Sequence, residues 1–290
     1  MILAIENDSL LVSIKSKGAE LFSIVNKETR LEYMWLGDPA FWGKTSPILF
    51  PVVGTLKGGT YLYNNRQYAL ARHGFARDGE FEVTASGEDQ LTLAMESTPA
   101  TMKNYPFLFR LEVRYQVIGN FLDVTYTVRN VGDRVMYFSI GGHPAFKVPL
   151  VNGTRYNDHY LEFNKTENTP RWPISEDGLI MTDPVAFLEN TDKIHLSKTL
   201  FQQDALVFKD LHSDVVSLKA ATHTHGLDFH FAGFPFLGIW AAKNADFVCI
   251  EPWCGIADSV THNQQFILKE GIEKIEPDES WSRTWKVRFY

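Results

Sequence analysis

The chain carries only two cysteines, Cys249 and Cys254, in 290 residues, which excludes a small scaffold held by disulfides. They stand five positions apart with Pro252 between them. A bridge there would strain a strand and its exit, so both are expected as free thiols in a reducing compartment. No run of 18 apolar residues occurs, so no membrane-spanning helix is expected. The N-terminus, MILAIENDS, has no basic region and reaches Glu6 and Asp8 at once, unlike a secretory signal. The expected location is the cytoplasm. Positive charge is scarce, with 28 Lys and Arg against 35 Asp and Glu and a net charge of -7. Neither a nucleic-acid nor a membrane partner is expected without a basic stripe. There is no linker rich in Gly, Ser or Pro, no repeat and no low-complexity tract. A Gly-x-Ser-x-Gly elbow is missing. Gly58-Gly59 runs into Tyr61-Leu62-Tyr63, without the Lys-Ser/Thr and helix of a phosphate loop.

What is present is short and alternating. Hydrophobic residues make up 44% and aromatics 13% of the chain, enough for a large core without covalent staples. Leu10–Ile14 follows the polar turn Glu6–Ser9 and reads as the second strand of a hairpin. Leu21–Val25 reads as another strand. The clearest hairpin spans Phe109 to Asn130 and turns at Gly119-Asn120. Trp281, Arg283, Trp285, Val287 and Phe289 share one parity of a C-terminal strand, with Arg283 the misfit. Helical periodicity is confined to turns expected at Pro99–Asn104 and Ser197–Gln203. More than a dozen strands predict an all-β chain, one domain over residues 1–290, built from antiparallel sheets. The more polar Val151–Asp204 reads as a long excursion, less strand-like, forming a wall over one end.

Four segments could carry chemistry. Arg72-His73-Gly74-Phe75-Ala76-Arg77-Asp78 is either a polar turn or a set of donors at a pocket mouth. In Gly141-Gly142-His143-Pro144, two glycines let the backbone leave an apolar strand and present His143 as a general acid or base. The other reading is a structural histidine. In Phe247–Gly255, alternation puts Phe247, Cys249 and Glu251 on one face. A carboxylate among apolar neighbours is costly unless paired or functional, and desolvation would raise its pKa into the range of a general base. A structural ion pair is the alternative for Glu251. Trp253 offers a flat apolar surface. Asp204 stands at the mouth of the strand Ala205–Phe208, where a strand-capping role is the simpler reading. His223 and His225, read as one face of a strand, with His230 and Asp228, form a weak metal set without further supporting spacing. No metal site is expected.

Taken in order, Ser46–Gly54, His73-Gly74-Phe75-Ala76-Arg77, Gly142-His143-Pro144-Ala145-Phe146, Asp204–Phe208 and Ile250-Glu251-Pro252-Trp253 resemble the aldose 1-epimerase (galactose mutarotase) family. The resemblance is stronger to its mutarotase-related bacterial branch. It implies a large twisted antiparallel β-sandwich with a sugar-binding cleft, and interconversion of the α and β anomers of a free aldose without a cofactor. It matches Glu251 to the general base, His143 to the general acid, His73 to a second active-site histidine and Asp204 to a carboxylate that holds sugar hydroxyls. Trp253, Phe75 and Phe146 are expected to stack on the sugar or to pack in the core. Where many relatives carry an arginine, this chain has Thr55, with Arg77 or Lys57 as the expected substitutes. The expected partner is a small-molecule sugar, and the expected state a monomer or homodimer. The alternatives are a hexose-6-phosphate 1-epimerase using Arg72 and Arg77, and a non-catalytic carbohydrate-binding protein.

Overall fold

The computed structural model describes all 290 residues. It contains 22 strands, one short α-helix and four single 3-10 turns. Every ladder between strands is antiparallel. A nine-stranded sheet forms the base, in the spatial order Val185–His195, His159–Arg171, Val215–Ala220, Leu227–His230, Ser280–Phe289, Phe121–Asn130, Phe109–Ile118, Gln90–Glu96, Glu82–Ser86. A six-stranded sheet packs on it. Its order is Leu206–Phe208, Phe236–Trp240, Phe247–Cys254, Ile140–Gly142, Ile48–Leu49, with Ala145–Lys147 also paired to Phe247–Cys254. Between them Phe146 meets Phe229, Phe208 meets Phe163 and Phe50 meets Phe109, edge to face. The N-terminal strands Ile2–Glu6, Leu10–Lys15 and Glu20–Asn26 make a separate three-stranded sheet.

Alternation explains the base sheet. Phe109, Leu111, Val113, Tyr115 and Val117 are buried on one face, and Val124 lies opposite both Tyr115 and Trp285. The hairpin turns at Gly119-Asn120. Gly119 takes a φ of 58°, which suits the first central position of a type II′ turn. Arg283 is exposed as the charge requires. It reaches Gly233 O through Nε and lies over the ring of Trp281. Pro99–Asn104 is helical, capped by Thr98 in a reciprocal bond with Thr101.

One expectation is met only in part and another fails. Ser197–Gln203 forms hydrogen-bonded turns, Leu200 N to Ser197 O and Gln202 N to Thr199 O, and no helix. Bonds spanning three residues do not propagate once Asp204 turns to a φ of 76°. Val151–Asp204 is not poor in strand, for it holds two of the longest, His159–Arg171 and Val185–His195. Its polarity reflects position. Val185–His195 is the last strand of the sheet and mostly exposed, so charge there blunts an edge. The connection between these two strands does form a wall. Ile174 pairs with Ile180, Ile180 N donates to Asp258 O, and Trp172 N donates to Val207 O.

Candidate active site

The outer face of the six-stranded sheet floors a cavity of about 430 Å3. Its central strand, Phe247–Cys254, is buried along its whole length. Glu251 and Trp253 face the cavity, whereas Phe247, Val248, Cys249, Ile250 and Cys254 belong to the main core. The register places His143. Gly141 pairs with Trp253 on one side and Ala145 with Cys249 on the other. Counting inward from either ladder sets His143 directly across from Glu251, where cross-strand side chains touch. His143 Nε2 lies 3.2 Å from Glu251 Oε2. Trp42 stacks on the imidazole at 4.9 Å between centroids, and Trp240 meets its edge at 5.6 Å.

Burial dominates the electrostatics. Glu251 is 2% exposed, and desolvation pushes its carboxyl well above the usual range, opposed by the Arg72 guanidinium. Desolvation also lowers the His143 imidazole to about 3, and the Arg72 and Arg77 charges act in the same direction. In the empty cavity the neutral pair, carboxylic acid beside imidazole, is therefore favoured over the ion pair.

His73 comes from the loop after Arg66–Ala69. Gly74 has a φ of 70°, and a β-carbon there would fall 2.2 Å from Phe50 O. Only glycine lets the loop close on Phe50, whose carbonyl accepts from the N–H groups of Phe75 and Ala76. The His73 ring edge then faces His143 at 5.8 Å. Gly54 N donates to His73 Nδ1. Arg72 Nε donates to His73 Nε2 at 3.3 Å, so two donors bracket the ring, and a neutral imidazole accepts at only one nitrogen at a time. Burial first, then the His143, Arg72 and Arg77 charges, hold His73 well below the usual histidine pKa. Arg72 NH2 stands 3.9 Å from Asp204 Oδ2, and both groups line the cavity.

The aldose 1-epimerase sequence pattern matches residues 1–271. The LacX protein encoded on a plasmid of Lactococcus lactis subsp. lactis is 32% identical over 297 aligned positions, covering 99% of each chain. The chain belongs to the aldose 1-epimerase family. Among solved structures, a galactose mutarotase related enzyme from Lactobacillus acidophilus superimposes with a TM-score of 0.96 at 32% identity, over 100% of this chain and 97% of the other. A galactose mutarotase-like protein from Lactobacillus casei gives 0.94 at 28% identity, over the full length of both. The fold is thus the antiparallel sandwich that the resemblance implies.

The six residues Glu251, His143, His73, Asp204, Arg77 and Trp253 converge on this family member's cavity. Phe75 does not. It packs against Phe50, Tyr105 and Phe109 beneath the loop, because the backbone bonds to Phe50 turn it inward. Phe146 likewise lies between the sheets. Lys57 offers no substitute for the missing arginine, since its ammonium is held by His262 O. Thr55 is covered by the wall, where a β-carbon on Gly178 would come within 2.6 Å of its hydroxyl. Arg72, beside Arg77, lines the cavity in its stead. His223 and His225 are not on a strand face. They fall in the connection between Val215–Ala220 and Leu227–His230, where Gly226 ends the ladder. His223 meets His159 edgewise at 5.4 Å between centroids and His225 at a 40° tilt at 6.0 Å.

Sequence reasoning missed the Trp42–Trp240 box around His143, and Ile174 and Ile180 of the wall, and named Arg72 only as a donor at a pocket mouth and for a phosphate. Arg72 adjoins His73 and carried a signal. The tryptophans had none, since one aromatic in a loop resembles any other.

Proposed function

We propose that the protein is an aldose 1-epimerase that interconverts the α and β anomers of a free hexose. The observation carrying this is the buried Glu251–His143 couple at 3.2 Å on a cavity the size of a sugar. Binding of a polar ligand repays the desolvation that holds the pair neutral, and one internal proton transfer gives the working carboxylate and imidazolium. Glu251 then takes the proton of the anomeric hydroxyl while the C1–O5 bond breaks and His143 delivers its proton to O5. The open aldehyde turns about C1–C2. On closure O5 returns its proton to His143, and O1 regains one from Glu251. The couple ends as it began, so no net proton is exchanged with solvent.

The neighbours suit this chemistry. The Arg72–Asp204 pair offers donors and acceptors to hydroxyls, with Arg72 also held by His73 Nε2. Trp253 offers a stacking face. Its ring covers Gly238 and Gly141, where β-carbons would fall 2.3 and 2.6 Å from the indole. A non-catalytic sugar-binding role would leave the acid–base couple without purpose.

Epimerisation of a hexose 6-phosphate is favoured by one observation, the two guanidinium groups of Arg72 and Arg77 in the same cavity. Both already face carboxylates, Arg72 that of Asp204 and Arg77 that of Asp78 at 3.6 Å, which favours the uncharged sugar. The test is proton exchange spectroscopy on the anomeric resonances of glucose, galactose and their 6-phosphates. Enzyme-dependent exchange of the free sugars is expected. Exchange confined to the phosphates would replace the first reading by the second. The free buried thiols suit a reducing compartment, and we place the protein in the cytoplasm.

A further inference from the structure

We propose that His143, Cys249 and Glu251 form a binding site for a thiophilic divalent cation, Zn2+ foremost, which would lock the acid–base couple. The three residues offer one imidazole nitrogen, one thiol sulfur and one carboxylate oxygen, and these atoms lie within 4.8 Å of one another. The strand register explains the cluster. Cys249 and Glu251 are two apart on one face of Phe247–Cys254, and His143 stands across from Glu251. The residue across from Cys249 is Ala145, which adds only a methyl group.

The donor set is one that zinc accepts, with Zn–S near 2.3 Å and Zn–N and Zn–O near 2.0–2.2 Å, so donors around the ion stand roughly 3–4 Å apart. His143 and Glu251 already meet that spacing at 3.2 Å. Soft thiolate with imidazole selects Zn2+ over Mg2+ or Ca2+. All three residues are buried, and His143 Nδ1 has no hydrogen-bond partner to tether the ring. His143 and Glu251 line the cavity, which leaves a fourth coordination position for water. An ion held there competes with sugar for the same two side chains. That consequence, inhibition relieved by sugar, rests on the epimerase reading; the binding does not.

The test is an optical titration of the full chain, freed of metal by a chelator, with Co2+ as a spectroscopic substitute for Zn2+. The expected result is a thiolate-to-cobalt charge-transfer band saturating at one equivalent and bleached by one equivalent of Zn2+. Cys249→Ser should abolish the band. It should also bind Zn2+ roughly 100-fold more weakly or worse, since even outer-shell losses cost about 10–100-fold. Cys254→Ser is the control. That thiol has the opposite parity to Cys249 and Glu251 on the strand and points to Gly233 O, so the band should persist. No band in the wild type, or an equal band in Cys249→Ser, overturns the proposal. If Cys249→Ser does not fold, Glu251→Gln serves instead, and unchanged Zn2+ affinity in it is equally contrary. A band in the wild type, together with metal-free protein that fails to speed anomer exchange, would overturn the epimerase reading alone.

Discussion

Glu251 and His143 stand side by side in an apolar setting, and each is held in its neutral form by the same desolvation. Isosteric replacement separates their roles. Glu251→Gln keeps the shape of the carboxyl and loses the base, so calorimetry should detect sugar binding in it. His143→Ala should lower turnover by about 10²–10⁴, the usual contribution of a positioned acid or base. Unchanged turnover in that variant would remove His143 from the mechanism. Phe75→Leu should act on the fold and not on the site. Denaturant unfolding should register a loss of roughly 1–3 kcal/mol, with sugar affinity retained; weakened affinity at unchanged stability would return Phe75 to the cavity. At this scale, the sequence made the polar members of the site legible through Gly-Gly-His-Pro and Ile-Glu-Pro-Trp. It did not make legible which aromatics face the sugar. Phe75 and Trp42 are both large and apolar, and only backbone bonds to Phe50 and stacking on His143 send one inward and the other to the cavity.

Among elements, the strand Phe247–Cys254 carries the account, because its alternation presents Cys249, Glu251 and Trp253 while its neighbours make room for them. Gly238→Ala tests that room. The new methyl would collide with the Trp253 indole, and overpacking of this kind costs roughly 1–3 kcal/mol. Sugar affinity should fall with it, as read by quenching of tryptophan fluorescence. Undiminished affinity would show that Trp253 is not a stacking face. Hairpins such as Phe109–Asn130 were readable because the turn and the alternation agree. Val185–His195 was not. As an edge strand with few buried residues, it lacks the pattern by which strands are recognised.

For the whole molecule, the buried groups make a prediction about acid stability. A histidine whose folded pKa is lowered contributes stability above 6.5 that is lost as pH falls toward its folded value. A carboxyl whose folded pKa is raised contributes stability below 4.5 that is lost as pH rises toward its own. Between these limits the His143 and Glu251 contributions have opposite slopes and cancel, while that of His73 remains. Wild type should thus lose stability from pH 6.5 toward 4.5. Glu251→Gln removes the cancelling carboxyl, and its slope should steepen by up to about 1.4 kcal/mol per pH unit. Equal slopes in urea unfolding across this range would contradict the neutral-pair assignment. Neither the pairing nor the cancellation was visible in the sequence, because His143 and Glu251 stand 108 positions apart and only the sheet register brings them together.

The central claim is that this couple opens and closes a sugar ring, and polarimetry on freshly dissolved α-D-glucose and α-D-galactose tests it most directly. Wild type should speed the approach to anomeric equilibrium, and Glu251→Gln should not exceed the uncatalysed rate. Equal acceleration by both proteins, or none by the wild type, would contradict it.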